Sequence, residues 1–231
     1  MTIRTALIGF GRTGRTVAEN LLEDERFTLA FAVRASVDCE ERDGFVVAPP
    51  EWLEGLLREH EPDVVIDFST PAAVMQNIER LPDGTGYVIG TTGFTDEEVE
   101  RIREHPHLRI LYAPNISDGI NVVMKLCQLL SQLWSGADVE LIEEHSTTKV
   151  DAPSGTARKL ASIFQQEPTI HSVRAGGIVG IHEVIAATDT QKITIMHESF
   201  NREVFAEGAK RGAIWLMDRQ RGFYEVQEVY G

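Results

Sequence analysis

The chain has 231 residues, 42% hydrophobic and 25% charged, the balance of a soluble globular protein long enough to bury a core. A formal net charge of −14 argues against nucleic acid as a partner, because phosphate binding needs a basic face. No apolar run suits a signal peptide or a membrane span, and Cys39 and Cys127 stand far apart with no zinc-site spacing, so the expectation is a reduced cytoplasmic protein without membrane contact or bound metal.

In chain order, TALIGF over residues 5–10 predicts a short buried strand. Gly9, Gly11 and Gly14 then form G-x-G-x-x-G, and a helix follows with Val17, Leu21 and Leu22 on one face. FTLAFAV (27–33), DVVIDF (63–68), YVIG (87–90) and RILYAPN (109–115) predict the next strands. The helices between them are a short one over residues 51–60, PAAVMQNIERL with Pro71 in its first turn, and TDEEVERIREH opened by a Thr95-x-x-Glu98 capping box. Such alternation predicts an α/β fold, a parallel sheet with helices on both faces. Ligands of these sheets sit at the carboxyl ends of the strands. Here those ends read GFGRTG, VRAS, DFSTP, GTTG and APN, and one ligand touching all five is a compact explanation.

After about residue 116 the texture changes. An amphipathic helix over 120–133 leads to the strand DVELIEEH, a polar stretch, and a helix from Ser154 to about Phe164. Strands within IHSVRAGGIVGIHEVIAAT and KITIMHESF follow with hairpin-like links, so residues 117–204 predict a second, α+β domain. The helix VFAEGAKRGAIWLM and the tail FYEVQEVY return the chain to the first domain, which comprises 1–116 plus about 205–231.

G-x-G-x-x-G between a strand and a helix is a dinucleotide fingerprint. Gly9 permits the tight turn, Gly11 lets the backbone approach a pyrophosphate, and Gly14 lets helix and strand pack closely. Arg12 and Thr13 lie in the same loop. An NAD site normally ends its second strand with an acid that binds the ribose 2′-OH. This strand ends Val33-Arg34-Ala35-Ser36, and Arg34 can instead pair with a 2′-phosphate. The cofactor expected is NADPH and/or NADH, with NADPH favoured.

The stretch EEHSTTKVDAPSGTA (143–157) carries a second cluster. Ser154 suits an N-cap, and the N–H groups that follow it, with Lys149 nearby, suit a carboxylate. His145 is the nearest group able to move a proton near neutral pH; the ordinary alternative is a structural histidine.

KVDAPSGTA closely resembles the signature of the 4-hydroxy-tetrahydrodipicolinate reductase (dihydrodipicolinate reductase) family of lysine and diaminopimelate biosynthesis. VVIDFSTP, GTTGF, APNISDGIN, VRAGGIVGIH and FNREVFAEGA each resemble family segments, in family order and over nearly the whole chain. The resemblance implies a Rossmann-like NAD(P)H domain, a substrate domain that also builds a homotetramer, and hinge closure between them. It implies reduction of a cyclic unsaturated dicarboxylate to tetrahydrodipicolinate, and a small dicarboxylate as the partner. His145 and Lys149 match the family's proposed acid and substrate-activating groups. Ser154, Gly155 and Thr156 match its carboxylate holders, with Ser146 beside them. Phe68, Ser69, Gly90, Thr91, Thr92, Gly93, Ala113, Pro114, Asn115 and Arg202 match cofactor contacts.

The chain also departs from the pattern. The family usually reads His-His-basic-x-Lys, whereas this chain reads His145-Ser146-Thr147-Thr148-Lys149. Losing a titratable group and a positive charge predicts weaker dianion binding by about 1–3 kcal/mol, unless the hydroxyls of Ser146 and Thr147 compensate. Asp118 replaces an aliphatic residue and suits a helix N-cap, and the glycine loop is one residue shorter than the common family form. These departures leave two alternatives open: a related NAD(P)-dependent imine or amino-acid reductase or dehydrogenase, such as aspartate dehydrogenase, and a non-catalytic NADP(H)-binding regulator.

Overall fold

The computed structural model describes residues 2–35 and 38–231. Ser36, at the end of the VRAS segment, therefore lies outside the described residues. The chain divides into two compact units, one running to Ile116 and resuming over Phe205–Gly231, the other Ser117–Val204.

The first unit runs β1 (Ile3–Ile8), α1 (Arg12–Leu22), β2 (Phe27–Val33), β3 (Glu40–Arg42), β4 (Phe45–Ala48), α2 (Leu53–His60), β5 (Val64–Asp67), α3 (Pro71–Asn77), β6 (Gly86–Ile89), α4 (Asp96–Arg103) and β7 (Arg109–Tyr112). Its strands form one sheet in the order β12-β7-β6-β5-β1-β2-β4-β3, closed at one edge by the late strand β12 (Gly222–Glu225). Every pairing is parallel except the β3–β4 hairpin. This is a Rossmann-like α/β sheet, and the order reverses at β1, between β2 and β5.

The pleat explains the two layers. Successive side chains of a strand face opposite ways, so Leu7 joins one core and its neighbours Ala6 and Ile8 join another. Leu7 packs with Val17 and Leu21 of α1 and with Ala206, Ala209, Ala213 and Leu216 of the returning helix. Ala6 and Ile8 pack with Leu53 and Leu57 of α2, Val74 of α3 and Ile102 of α4. Burial of each of the valine, leucine and isoleucine side chains among them stabilises by about 1.5–3 kcal/mol. The caps fall as expected: Pro71 opens α3 behind Thr70, whose Oγ1 accepts from Ala73 N at 3.3 Å, and Thr95 and Glu98 form a reciprocal capping box on α4.

β3 and β4 are absent from the strands expected above. Arg42 pairs with Phe45 across Asp43-Gly44, and both turn residues have positive φ, 49° and 85°, as a two-residue primed turn requires. Arg109 ties the late part of the chain down. Its guanidinium donates to Gly84 O at 2.9 Å, Leu216 O at 3.0 Å and Met217 O at 3.3 Å.

The second unit contains α5 (Asp118–Leu133), β8 (Asp138–His145), α6 (Gly155–Ala161), β9 (Thr169–Arg174), β10 (Gly180–Thr188) and β11 (Gln191–Ser199). Its sheet order is β11-β10-β8-β9, with β8–β9 parallel and the other pairs antiparallel. α7 (Glu203–Met217) then leads back to the first unit. Ile120, Val123, Met124 and Cys127 make the buried stripe of α5 and pack with Leu160 of α6, Leu141 and Val184. The N-cap position of α5 is Ser117, one position before the Asp118 suggested by the sequence, and Asp118 is the first helical residue. Among the described residues no helix is long and apolar enough to cross a membrane.

Candidate active site

The first unit gathers polar groups at the carboxyl ends of its strands. Gly9 N and Phe10 N both donate to Val33 O, Phe68 N donates to Ile8 O, Gly90 N to Asp67 O and Ala113 N to Ile89 O, so each strand end is locked to its neighbour. Gly9 sits at φ 91°, and a Cβ there would lie 2.4 Å from the Phe68 carbonyl. A Cβ on Gly14 would lie 2.0 Å from Gly9 O. Both outer glycines are thus required by the fold itself. A Cβ on Gly11 meets nothing within 4 Å, so internal packing does not explain the middle glycine. The backbone there is open, and a loop of this form fits a pyrophosphate.

Beside this loop is a cavity of about 290 Å³ lined by Thr13, Phe68, Ser69, Gly90, Thr91, Thr92, Pro114, Ile116 and Phe205. Gly93 and Asn115 adjoin these lining residues in sequence, Gly93 exposed and Asn115 half-buried; Ala113 is fully buried. Arg12 begins α1 and is exposed. Arg34 is exposed past the end of β2, anchored through its N–H to Ala48 O at 3.0 Å. Among the described residues neither guanidinium meets a carboxylate. Arg202 belongs to the second unit, half-buried in the turn before α7.

Under the cavity lies a residue that sequence reasoning missed. Asp67, the last residue of β5, is fully buried. Its Oδ1 accepts from Ser69 N (2.8 Å), Ser69 Oγ (2.5 Å) and Thr91 Oγ1 (3.1 Å); its Oδ2 accepts from Tyr87 Oη (2.7 Å) and Asn77 Nδ2 (3.3 Å). Burial pushes this carboxyl above the ordinary value against the pull of the Ser69, Tyr87 and Asn77 donors. Asp67 thereby fixes two residues that line the cavity, Ser69 and Thr91.

The second unit holds the other cluster. On the helix-covered face of its sheet, Ile170, Leu141, Val184 and Ile195 form an apolar row across all four strands. The next row in register is polar: Ser172, Glu143, His182 and His197. His145 lies two residues beyond Glu143 on β8, opposite Arg174 of β9. His145 Nδ1 meets Glu143 Oε2, and Glu143 Oε1 accepts from Arg174 Nη2 at 2.7 Å. The His182 ring stands edge-on to His145, 5.3 Å between centroids, and its Nε2 is 3.2 Å from Ser154 Oγ.

These neighbours set the charge states. Burial acts to raise Glu143, but Arg174, Ser172 and His145 together hold its carboxyl below the ordinary value. Burial lowers His145, with Lys149 and Arg174 adding to the fall and Glu143 opposing it. Burial brings His182 down to about 3. Lys149 Nζ pairs with Asp151 Oδ1 at 2.8 Å, and Ser146 Oγ lies 2.9 Å from Thr148 Oγ1. Ser154 is buried and its Oγ caps α6 by accepting from Ala157 N at 3.1 Å, whereas Gly155 is exposed and Thr156 half-buried. A wider cleft of about 480 Å³ at the other end of β8, beside Ser131, Trp134 and Glu140, is lined by none of the residues assigned above.

Residues 3–116 match the family described as "Dihydrodipicolinate reductase, N-terminus", and residues 119–230 match "Dihydrodipicolinate reductase, C-terminus". The chain belongs to the dihydrodipicolinate reductase family. A 4-hydroxy-tetrahydrodipicolinate reductase of Methanoregula boonei is 32% identical, covering 96% of this chain and 94% of its own length. One from Rickettsia bellii is 33% identical over 100% of this chain and 95% of its own length. The solved structure of dipicolinate-bound dihydrodipicolinate reductase from Paenisporosarcina sp. TG-14 aligns at a TM-score of 0.82 and 26% identity, over 97% of this chain and 98% of that one.

The family segments resolve into two kinds of residue. Phe68, Ser69, Gly90, Thr91 and Thr92 of DFSTP and GTTG line the cavity of the first unit with Asp67 beneath them, and from HSTTKVDAPSGT His145 and Ser154 join the imidazole cluster of the second. Besides Asp67, sequence reasoning missed Ile116 and Phe205 at the cavity wall and Glu143, Arg174 and His182 around His145. A buried acid two residues before a histidine on one strand face is a signal for Glu143, but only once the burial is known.

Proposed function

We propose that this chain is an NAD(P)H-dependent reductase that converts 4-hydroxy-tetrahydrodipicolinate/dihydrodipicolinate to tetrahydrodipicolinate in lysine and diaminopimelate biosynthesis. The observation that carries this reading is the family match over both halves, with similar reductases aligned along nearly their whole length.

In this reading the Gly9–Gly14 loop holds the pyrophosphate, and Ser69, Thr91, Thr92 and Pro114 hold the nicotinamide end. Bound there, the cofactor supplies the hydride. Arg34 and Arg12, exposed and without a carboxylate partner among the described residues, favour NADPH by pairing with the 2′-phosphate. Arg202 is a further cofactor contact. Lys149, Gly155 and Thr156 receive the substrate carboxylates; Ser154 supports them as the cap of α6, and Ser146 donates a neutral hydrogen bond. His145 delivers the proton from Nε2, since Nδ1 is engaged by Glu143.

The homotetramer belongs to the same proposal. It is supported by exposed Val122, Leu126, Leu129 and Leu133 along α5 and Met196 on β11, apolar surface of the kind that subunit contacts cover. So does a cytoplasmic location.

The test is NADPH oxidation with the substrate generated in situ. Turnover is expected, and His145→Gln and Lys149→Ala each lower it about 100-fold or more while NADPH still binds. Intact cofactor binding without turnover overturns the reductase reading. Near-normal rates in both variants overturn the two assignments. Paired NADH and NADPH titrations, with and without 2,6-pyridinedicarboxylate, decide the cofactor preference.

A further inference from the structure

An acid in an alternating strand ordinarily faces solvent, yet Glu143 is fully buried. A carboxylate is held in that state only by partners that satisfy it. Glu143 has a cation on one oxygen, Arg174 at 2.7 Å, and the His145 ring on the other. Arg174 does more than neutralise it. The same Nη2 donates to Asp151 O at 2.5 Å, and Asp151 carries the carboxylate that pairs with Lys149. One guanidinium therefore ties the His145 orienter to the turn that presents Lys149.

The consequence for His145 follows from its two nitrogens. A carboxylate can only accept, so the nitrogen facing Glu143 carries a proton. The charged and titratable groups that face the ring are Glu143 on its own strand, Arg174 from β9, His182 from β10 and Lys149 from the following turn. Of these Glu143 favours the imidazolium, and Lys149 and Arg174 oppose it.

We infer that Glu143, anchored by Arg174, is the positioning residue that holds His145 with a proton fixed on Nδ1 and Nε2 turned to the substrate. This rests on the reading of His145 as the proton donor. When the imidazolium gives its Nε2 proton to the substrate, the N–H electron pair stays on Nε2. The neutral ring keeps its Nδ1–H on Glu143, and solvent returns a proton to Nε2. Neither Glu143 nor Arg174 touches the reacting atoms.

The experiment uses the full chain, selectively labelled with ¹⁵N-histidine, with Glu143→Gln, Glu143→Asp and His145→Gln variants. In the unmodified protein the neutral His145 signal is expected to show the Nδ1–H tautomer; the Nε2–H tautomer overturns the inference without any variant. In Glu143→Gln the His145 titration midpoint is expected to fall by about one pH unit or more, and the tautomer preference to weaken. Its kcat is expected to fall 10- to 100-fold, with KM for NADPH within twofold. Glu143→Asp, which keeps the charge, recovers part of the rate. A Glu143→Gln protein with unchanged His145 titration, tautomer and kcat overturns the positioning role. Normal turnover in His145→Gln overturns the donor reading instead, and the NMR signals separate the two failures.

Discussion

Among the described residues each unit buries one carboxylate completely, and the two are held in opposite ways. Asp67 in the first unit is satisfied by neutral donors: a backbone N–H, two aliphatic hydroxyls, a phenol and an amide. Glu143 in the second has a guanidinium and an imidazole. Burial acts to raise both carboxyls, yet Asp67 ends above its ordinary value and Glu143 below. Burial alone therefore does not set the direction; the charge of the partners does. The first site is built as a fixed scaffold of neutral hydrogen bonds, the second as a set of coupled charges that respond to pH.

The largest expected effect comes from breaking the scaffold. Asp67→Ala strands the donors of Tyr87, Asn77, Ser69 and Thr91, and urea unfolding should show a loss of about 3–5 kcal/mol. A loss below about 1 kcal/mol would mean that water replaces the carboxylate and that the two sites are not built differently.

Acidification comes next and should single out the second unit. His182 falls from 6.5 to about 3 on folding, so the unfolded chain takes up a proton that the folded chain refuses. Its contribution is complete above pH 6.5 and is lost as pH falls towards 3, by up to about 1.4 kcal/mol per pH unit. Glu143, whose carboxyl is depressed, adds a loss of the same sign below its ordinary value of 4.5. Asp67 contributes with the opposite sign, because a raised carboxyl loses its folding contribution as pH rises. Hydrogen exchange at about pH 4.5 should thus show α5 and β10 losing protection before β1 and β6. The reverse order would break the comparison.

The smallest effect on stability is the sharpest test of the first site. Gly11→Ala should leave unfolding within about 0.5 kcal/mol of the original, since its methyl meets no protein atom within 4 Å. NADPH affinity should nevertheless fall tenfold or more by fluorescence titration. An unchanged affinity would remove the glycine loop from the cofactor site.

Much of this organisation is legible from local pattern. FTLAFAV and DVELIEEH coincide with β2 and β8 because their apolar runs match strand burial. Thr95 and Glu98 announce α4 because a capping box is made within four residues. The β3–β4 hairpin was signalled by Asp43-Gly44, but its three- and four-residue strands carry too little pattern to stand out. Glu143 is another case. By alternation it shares the covered face of Val139 and Leu141, and what the local pattern does not show is the partner that satisfies it there: β9 pairs in parallel with β8 and brings Arg174 from 31 positions away. That partnership is a product of topology, and no window of neighbouring residues contains it.

The closure of the first sheet by β12 has a consequence for biosynthesis. β7 pairs with β6 on one side and with β12 on the other, Ile110 facing Phe223. As the chain leaves the ribosome, all of the second unit emerges before β12 does. Until then β7 is the edge of the nascent parallel sheet, and the Arg109 guanidinium lacks the carbonyls of Leu216 and Met217. An open edge of paired, apolar strands is a template for unwanted association. The last strand to be made is thus the one that covers β7 and becomes the edge of the first sheet in its place.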